Sequence, residues 1–514
     1  MDNQPQIENR NDRSSLGRRV KGFLLTNQTT GQTVAKNTFW LAVSNLGGRL
    51  IKAGIIIYSA RLLGAAEWGL FSYAVSFAAF ITIFTDFGVG PILTRETSKT
   101  DDPKKKSEII STAFFLKLAL LLVGILIVIF VAPSLSTMKE ASFLFPIISL
   151  IIIFDTLQGF GFSLTRAMER MELEAGFYLL TNASIVVFGF LALHFYPKVE
   201  YFSYAYAAGI AVGTAATLFS LRNNFKNLFL NFKRKLIAPI MGAAWPFVIS
   251  GVLGSLMINT DILLIGYFLS AKDVGIYSAA DRPIQLLYVL PGILATSVFP
   301  TLARLANKNK ERFRMILEKT LSLAYLISIP LVLGGIVLGG DIIRGVFGQP
   351  YTGAVLSFRI LLATLSINFA AVIFSNAIFA HDRQKDLIKF AALGGISNLV
   401  FDLILIPRFG ITGSAIATLS AQIIANIYIW TKMKTIVDFS VLPKLKKIAL
   451  SAGIMAVTVF GLHRLGLNLF LNVIAGAGIY LGLLYFMKER ILKDIKLILR
   501  PDASGGLESS EPAS

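Results

Sequence analysis

The chain contains no cysteine. That removes disulfides, a thiolate nucleophile and Cys-ligated metal at once, and it leaves the redox compartment open. Histidine is nearly as scarce: His194, His381 and His463 lie far apart near predicted loops, a spacing that does not build a His metal site. Charge is scarce too, at 15% of 514 residues against 54% hydrophobic, with a mean hydropathy of +0.67. Globular sequences carry about 25% charged residues, so this chain could not cover a soluble surface. No G-x4-G-K-[ST] phosphate loop occurs, so no nucleotide-binding loop of that type is expected. Nor is a cleavable signal peptide expected: residues 1–33 are polar and basic, with Arg10, Arg13, Arg18, Arg19 and Lys21, and the first apolar block is too long for an h-region.

What the chain has instead is apolar residues in blocks of about 20, the length a helix needs to cross ~30 Å of hydrocarbon. Blocks and breaks predict spans at 34–60, 68–93, 109–132, 141–165, 174–195, 201–221, 238–268, 274–300, 315–338, 354–380, 386–406, 411–431, 443–463 and 467–487. The expected fold is therefore an all-α polytopic membrane protein of about fourteen transmembrane helices.

The net charge of +19 raises nucleic acid as a partner, but the placement of the charges answers otherwise. With the gaps numbered alternately, the side holding the N-terminal tail carries RETSKTDDPKKK, RAMER, RNNFKNLFLNFKRK, RLANKNKERFR, HDRQKD, Lys432–Lys447 and KERILKDIKLILR. That side holds about 37 of the 49 basic residues, and the opposite side about seven, which marks the first as cytoplasmic. Both termini are then expected inside, in a cytoplasmic (inner) membrane, and no nucleic-acid partner is implied.

The chain also repeats. Leu63–Ser72 (LGAAEWGLFS) after the first span aligns with Leu269–Ser278 (LSAKDVGIYS) after the seventh, 206 positions on. Pro91 and Arg95 match Pro300 and Arg304, and Ala167, Glu169 and Arg170 match Ala380, Asp382 and Arg383. Three matches in order indicate two duplicated halves of six helices. Six being even, the halves are parallel repeats, a common frame for alternating access with substrate between the lobes. The expected organisation is a cytoplasmic tail over 1–33, an N-lobe over 34–222, a C-lobe over 238–432, two extra helices over 443–487 outside the repeat, and a cytoplasmic tail over 488–514, with Ser504–Ser514 disordered.

Ionisable residues inside hydrocarbon cost at least ~2.5 kcal/mol each, so each calls for a reason. Arg49 and Lys52 sit mid-span in SNLGGRLIKAG, three apart on one helical face. They face either a wet cavity or an anion, or they form an internal ion pair with Asp86. Lys117, Asp281, Arg282 and Arg359 are further candidates, of which Lys117, Asp281 and Arg359 fall near predicted helix ends, where they can snorkel to water. Guanidinium and ammonium suit phosphate, so a cationic cavity favours an amphiphile with a diphosphate head and repels organic cations. In the second half, Asn398 and Asp402 lie at i and i+4, near in pattern to Asn259 and Asp261 and to Thr412, Ser414 and Thr418. Such oxygens suit an alkali cation, and they serve equally as glue between helices.

The run from Asn398 to Thr418, NLVFDLILIPRFGITGSAIAT, resembles the signature of polysaccharide flippases in the multidrug/oligosaccharidyl-lipid/polysaccharide exporter superfamily. Asp261 with Val274-Gly275-Ile276-Tyr277, and Phe347-Gly348 with Tyr351, extend the resemblance, which covers residues 34–490. It implies a MATE-like pair of six-helix lobes around a cavity that opens to either side. By similarity to lipid II flippases it implies a sodium site at Asp261, Asn398, Asp402, Ser414 (through its carbonyl) and Thr418. It places Arg49, with Lys52 nearby, among the cavity cations, and Arg282 as the basic residue of span eight. Asp86 completes the expected substrate set.

The function implied is that of a flippase, not an enzyme, carrying polyprenyl-diphosphate-linked oligosaccharide across the membrane by alternating access. Sodium or a proton would be the coupling ion, with no other cofactor, and membrane lipid and other polysaccharide-assembly membrane proteins would be partners. The alternatives are a MATE-type drug/cation antiporter, which should have an acidic cavity, and a lipid II flippase, which differs only in substrate. A membrane glycosyltransferase or polymerase would need large outer loops, whereas every gap on that side is about 16 residues or fewer.

Overall fold

A computed structural model describes residues 30–489. The two expected tails lie, but for their inner ends, outside the described residues, as does the segment expected to be disordered. Among the described residues the chain forms helices and no strand. In hydrocarbon every backbone N–H and C=O must find its partner within the chain, and helices achieve this within each span.

Fifteen helices matter here. They are α1 Thr30–Asp86, α2 Val89–Ser98, α3 Pro103–Leu126, α4 Phe145–Ala167, α5 Met171–Phe195, α6 Val199–Ser220, α7 Ile237–Ile258 and α8 Thr260–Phe268. Then follow α9 Ala271–Leu287, α10 Val289–Leu305, α11 Lys310–Phe347, α12 Val355–Phe379, α13 Gln384–Ile436, α14 Lys446–Arg464 and α15 Leu469–Phe486. Twelve stretches among the described residues are long and apolar enough to cross a membrane. Two of them, Lys36–Asp86 and Gln384–Ile436, run 51 and 53 residues. At 1.5 Å per residue a straight helix of that length would exceed ~75 Å, more than twice the hydrocarbon thickness.

Both are broken by a glycine with non-helical backbone, Gly64 (φ 76°) in α1 and Gly410 (φ 60°) in α13. At Gly410 the break is a reversal. Ser414 Oγ donates to Asp402 Oδ1 at 3.0 Å, although twelve residues of straight helix would separate them by ~18 Å. The expected fourteen spans are reached only when each of these two long helices is counted as two.

The chain divides into two compact units, one of Met1–Leu62 and Ala78–Ile249, the other of Leu63–Phe77 and Ser250–Ser514. The boundary near 249 lies inside α7 rather than in the expected 223–237 linker, and the segment 63–77 groups with the second unit.

In the first unit, Val89, Leu93, Ile110, Ala113, Phe160, Leu164 and Leu221 form a buried core where α2, α3, α4 and the end of α6 meet. The polar linker after α6 is tied to α3: Asn231 Nδ2 donates to Ser107 Oγ at 2.7 Å and the Lys233 N–H to Thr112 Oγ1 at 3.0 Å.

In the second unit, the two matching repeat segments pack on each other. A Cβ on Gly69 would stand 1.7 Å from the Ala271 carbonyl oxygen, and one on Gly275 would stand 1.8 Å from that of Ala65. Small residues at such crossings let backbones approach closely, the main source of helix association in lipid. Helices α14 and α15, outside the repeat, dock on α11 through Leu326, Leu338, Met455, Val459, Tyr480 and Leu484. Tyr480 Oη donates to the Leu326 carbonyl at 2.8 Å, and His463 Nδ1 lies 2.9 Å from Asp341 Oδ2.

One further repeat match has a backbone cause. Glu169 (φ 54°) follows α4 and Asp382 (φ 58°) follows α12, both left-handed. Behind each, the next N–H reaches back five residues, Arg170 to Thr165 at 2.9 Å and Arg383 to Ile378 at 3.3 Å. That is the Schellman cap, which satisfies carbonyls left over at a helix end.

Candidate functional site

Two polar constellations stand out, one in each unit.

In the second unit the chain breaks at Asn259, so α8 starts afresh with Asp261 in its first turn. Helix α13 presents Asn398 and Asp402 before the Gly410 reversal and Ser414 and Thr418 after it. The reversal brings Ser414 to Asp402 and Thr418 to Asp261. Asn398 Nδ2 donates to Asp261 Oδ1 at 2.6 Å and to Asp402 Oδ2 at 2.9 Å. Thr418 Oγ1 donates to Asp261 Oδ2 at 2.7 Å and lies 3.1 Å from the Ser414 carbonyl.

Tyr277 of α9, in the run Val274–Tyr277, also donates its hydroxyl to Asp261 Oδ2. Asp402 is 0% exposed, Asn398 2% and Asp261 7%. Among the described residues no basic side chain is hydrogen-bonded to either carboxyl. Every potential ligand in the cluster is oxygen, as hard cations require. For Asn398 to join as a ligand its amide would turn over, since its nitrogen now serves the two acids.

In the first unit, Arg49 is exposed in the middle of the first half of α1. One turn on, Lys52 is half-buried, with Nζ 4.8 Å from the ring centre of Tyr206 on α6. Asp86 closes α1, and its partner is Lys117 of α3, with Nζ 2.5 Å from Oδ1. The pairing of Asp86 with Arg49 or Lys52, left open by the sequence, is thus replaced by Asp86–Lys117. The snorkelling reading of Lys117 is also corrected. It is 2% exposed, its Nζ is 5.9 Å from the Phe160 ring centre, and it is held inside the unit by a carboxylate.

Arg282, the fourth expected substrate residue, lies in the second unit on α9. Its Nη1 is 3.4 Å from Gln285 Oε1, and its Nε is buried without a partner. Beside it, Gln285 Nε2 donates to Asp281 at 2.5 Å, so Asp281 is partnered within its own helix. Arg359 lays its stem over Gly339 of α11, with Nε buried.

Sequence reasoning missed two groups. Lys36 is 1% exposed and bound to Glu172 at 3.0 Å. Asp155 of α4 is exposed, one residue before Thr156, whose hydroxyl lies 3.1 Å from that of Thr85, the residue before Asp86. The signal was present: Asp155 is the only acid in the apolar run FPIISLIIIFDTLQGF, and the cost of an intramembrane charge applies to it as to the others.

Comparison with known proteins agrees with this architecture. The chain is 24% identical over 462 residues to the probable low-salt glycan biosynthesis flippase Agl15 of Haloferax volcanii, covering 89% of this chain and 96% of that protein. It is 24% identical over 407 residues to a putative O-antigen transporter of Shigella flexneri, covering 75% and 94%. Among solved structures, the lipid II flippase MurJ in an inward closed conformation matches with a TM-score of 0.75 at 18% identity, over 87% of this chain and 99% of that one. The fold is therefore similar to that of this lipid II flippase. The pattern of the family described as polysaccharide biosynthesis protein matches residues 34–306, more than half of the sequence, and the chain belongs to that family.

Proposed function

We propose that the protein is a flippase that carries polyprenyl-diphosphate-linked oligosaccharide across the cytoplasmic membrane by alternating access, for assembly of cell-surface polysaccharide. The observation that carries this reading is Arg49: a guanidinium exposed in the middle of a span, with no carboxylate partner found among the described residues. A permanent cation at that depth is tolerable only against water or an anion. A diphosphate head supplies the anion, and a guanidinium binds it through paired N–H bonds, with Lys52 one turn away as a point charge.

The names of the relatives, a glycan biosynthesis flippase and an O-antigen transporter, support a lipid-linked glycan as cargo. The basic bias of the loops supports both termini lying in the cytoplasm.

The oxygen cluster around Asp261 and Asp402 supports a coupling-ion site. Two carboxyls buried together need either a shared proton or an enclosed cation. The residues present fit sodium, with Asp261, Asp402, Asn398, the Ser414 carbonyl and Thr418 as ligands. Bound there, a cation would supply the positive charge that the cluster lacks.

The test is thermal stability of the purified protein against short polyprenyl-diphosphate sugars and, separately, hydrophobic organic cations. Stabilisation by the diphosphates that disappears in an Arg49→Ala, Lys52→Ala variant is the expected result. In cells that variant should express normally and lose export by about 100-fold or more, since each charge-assisted bond is worth roughly 1.5–3 kcal/mol. Stabilisation by organic cations alone would move the protein to the drug exporters.

A further inference from the structure

The oxygen cluster around Asp261 and Asp402 lies close to the Gly410 reversal, and polar side chains lead away from it on two helices. On α13, Ser414 and Thr418 belong to the cluster, and Gln422 is next on the same face, ~6 Å further along the axis. On α9, Tyr277 touches the cluster, and Asp281, Gln285 and Tyr288 continue its face. The two faces meet again beyond the cluster, where Gln422 Nε2 donates to Tyr288 Oη at 3.3 Å.

Donors at that meeting point all run one way. Thr364 Oγ1 of α12 donates to the Leu361 carbonyl at 2.5 Å, so it is the acceptor in its 2.6 Å bond with Tyr288. Tyr288 therefore gives its proton to Thr364 and accepts one from the Gln422 amide. Gln422 Oε1 is left buried without a partner, in a residue only 9% exposed. An acceptor stranded in this way is costly and calls for a water or an ion. The free groups here are Gln422 Oε1 and the remaining lone pair of Tyr288 Oη, oxygens with no spare donor between them, which suit a small cation.

We infer that Gln422 and Tyr288 form a second station for the coupling cation, on its way between the Asp261–Asp402 cluster and the end of α13 remote from Gly410. Neutral oxygens hold a cation less firmly than two carboxyls do. The station is thus a place of transit, since a path needs sites favourable enough to enter and weak enough to leave.

The inference rests on the coupling-ion reading above, and its test separates the two. Sodium is titrated against thermal unfolding of the full chain in detergent, and exchange of radiolabelled for unlabelled sodium is followed in proteoliposomes. Gln422→Leu removes the oxygen and keeps a side chain of similar bulk. Its sodium midpoint should match that of the unaltered protein, because the cluster is intact. Its exchange should slow about ten-fold, the order expected for one lost oxygen contact. Gln422→Glu gives a second reading that does not depend on the Leu variant folding. Combined with Asp402→Ala, it should restore the sodium stabilisation that Asp402→Ala alone lacks, because a carboxylate turns the station into a holding site. Adding Tyr288→Phe should then weaken that restored binding about ten-fold. Exchange at the unaltered rate in Gln422→Leu means that Oε1 holds only a water, and it overturns the station while leaving the coupling reading intact. Loss of sodium stabilisation in a folded Gln422→Leu, or no restoration by Gln422→Glu, overturns the station in the same way. Sodium that stabilises the unaltered protein without exchanging is bound but not moved, which also overturns it. No sodium stabilisation and no exchange in the unaltered protein overturn sodium as the coupling ion and the station together.

Discussion

The polar centres of the two units are built in opposite ways. In the first, acids meet bases: Asp86 with Lys117, Lys36 with Glu172, and Glu174 with Arg166, which contacts both of its oxygens. In the second, Asp261 and Asp402 meet only neutral donors from Asn398, Tyr277, Ser414 and Thr418. A site made of two acids and several oxygens is incomplete without a proton or a small cation. The two halves share the same repeat but not the same polar chemistry.

That contrast can be broken, beginning with its largest consequence. Replacing Lys117 by Met strands Asp86 in the first unit and should cost about 3–5 kcal/mol, read as a fall in the unfolding midpoint. Adding Asp86→Leu should restore most of it, because an apolar pair replaces an ion pair. If the double variant stays as unstable as the single one, Lys117 has a role beyond pairing. In neither variant should the sodium dependence of stability change.

In the second unit the pattern should invert. Sodium at about 100 times its dissociation constant should stabilise the protein by roughly 2.7 kcal/mol, and Asp402→Ala should erase that increment. A sodium effect that survives Asp402→Ala, or that is lost equally in Lys117→Met, would remove the distinction between the units. If stability follows pH and ignores sodium, the proton is the coupling ion.

The smallest expected effect concerns what the halves have in common. Glu169→Gly and Asp382→Gly relieve a left-handed residue at the same cap of each repeat. The relief is offset in part by the freedom glycine gains in the unfolded chain, so each should raise stability by up to about 1 kcal/mol. A marked difference between the two would show that the caps, though alike in backbone, are held by different surroundings.

Much of this was legible before any coordinates. The transmembrane fold follows from apolar run length, and the repeat from matches such as Glu169 with Asp382. Asn398 and Asp402 announce a shared face because i and i+4 is a local relation. Other features were hidden by distance along the chain. Nothing local in Asp86 names Lys117 as its partner 31 residues on, and a helix-end rule pointed Lys117 towards water instead. Tyr277 looked like one residue of a hallmark run, and only the packing of α9 beside α8 turns its hydroxyl to Asp261.

By itself the sequence determined where the chain enters hydrocarbon and which residues must be accounted for there, since transfer free energy belongs to each residue and its near neighbours. Which polar groups meet one another was decided by tertiary structure alone. Asp261 reaches Asn398 across 137 residues, and Asp402 reaches Ser414 only because the backbone reverses at Gly410. Such meetings depend on where whole helices turn and cross, and no short stretch of sequence carries that information.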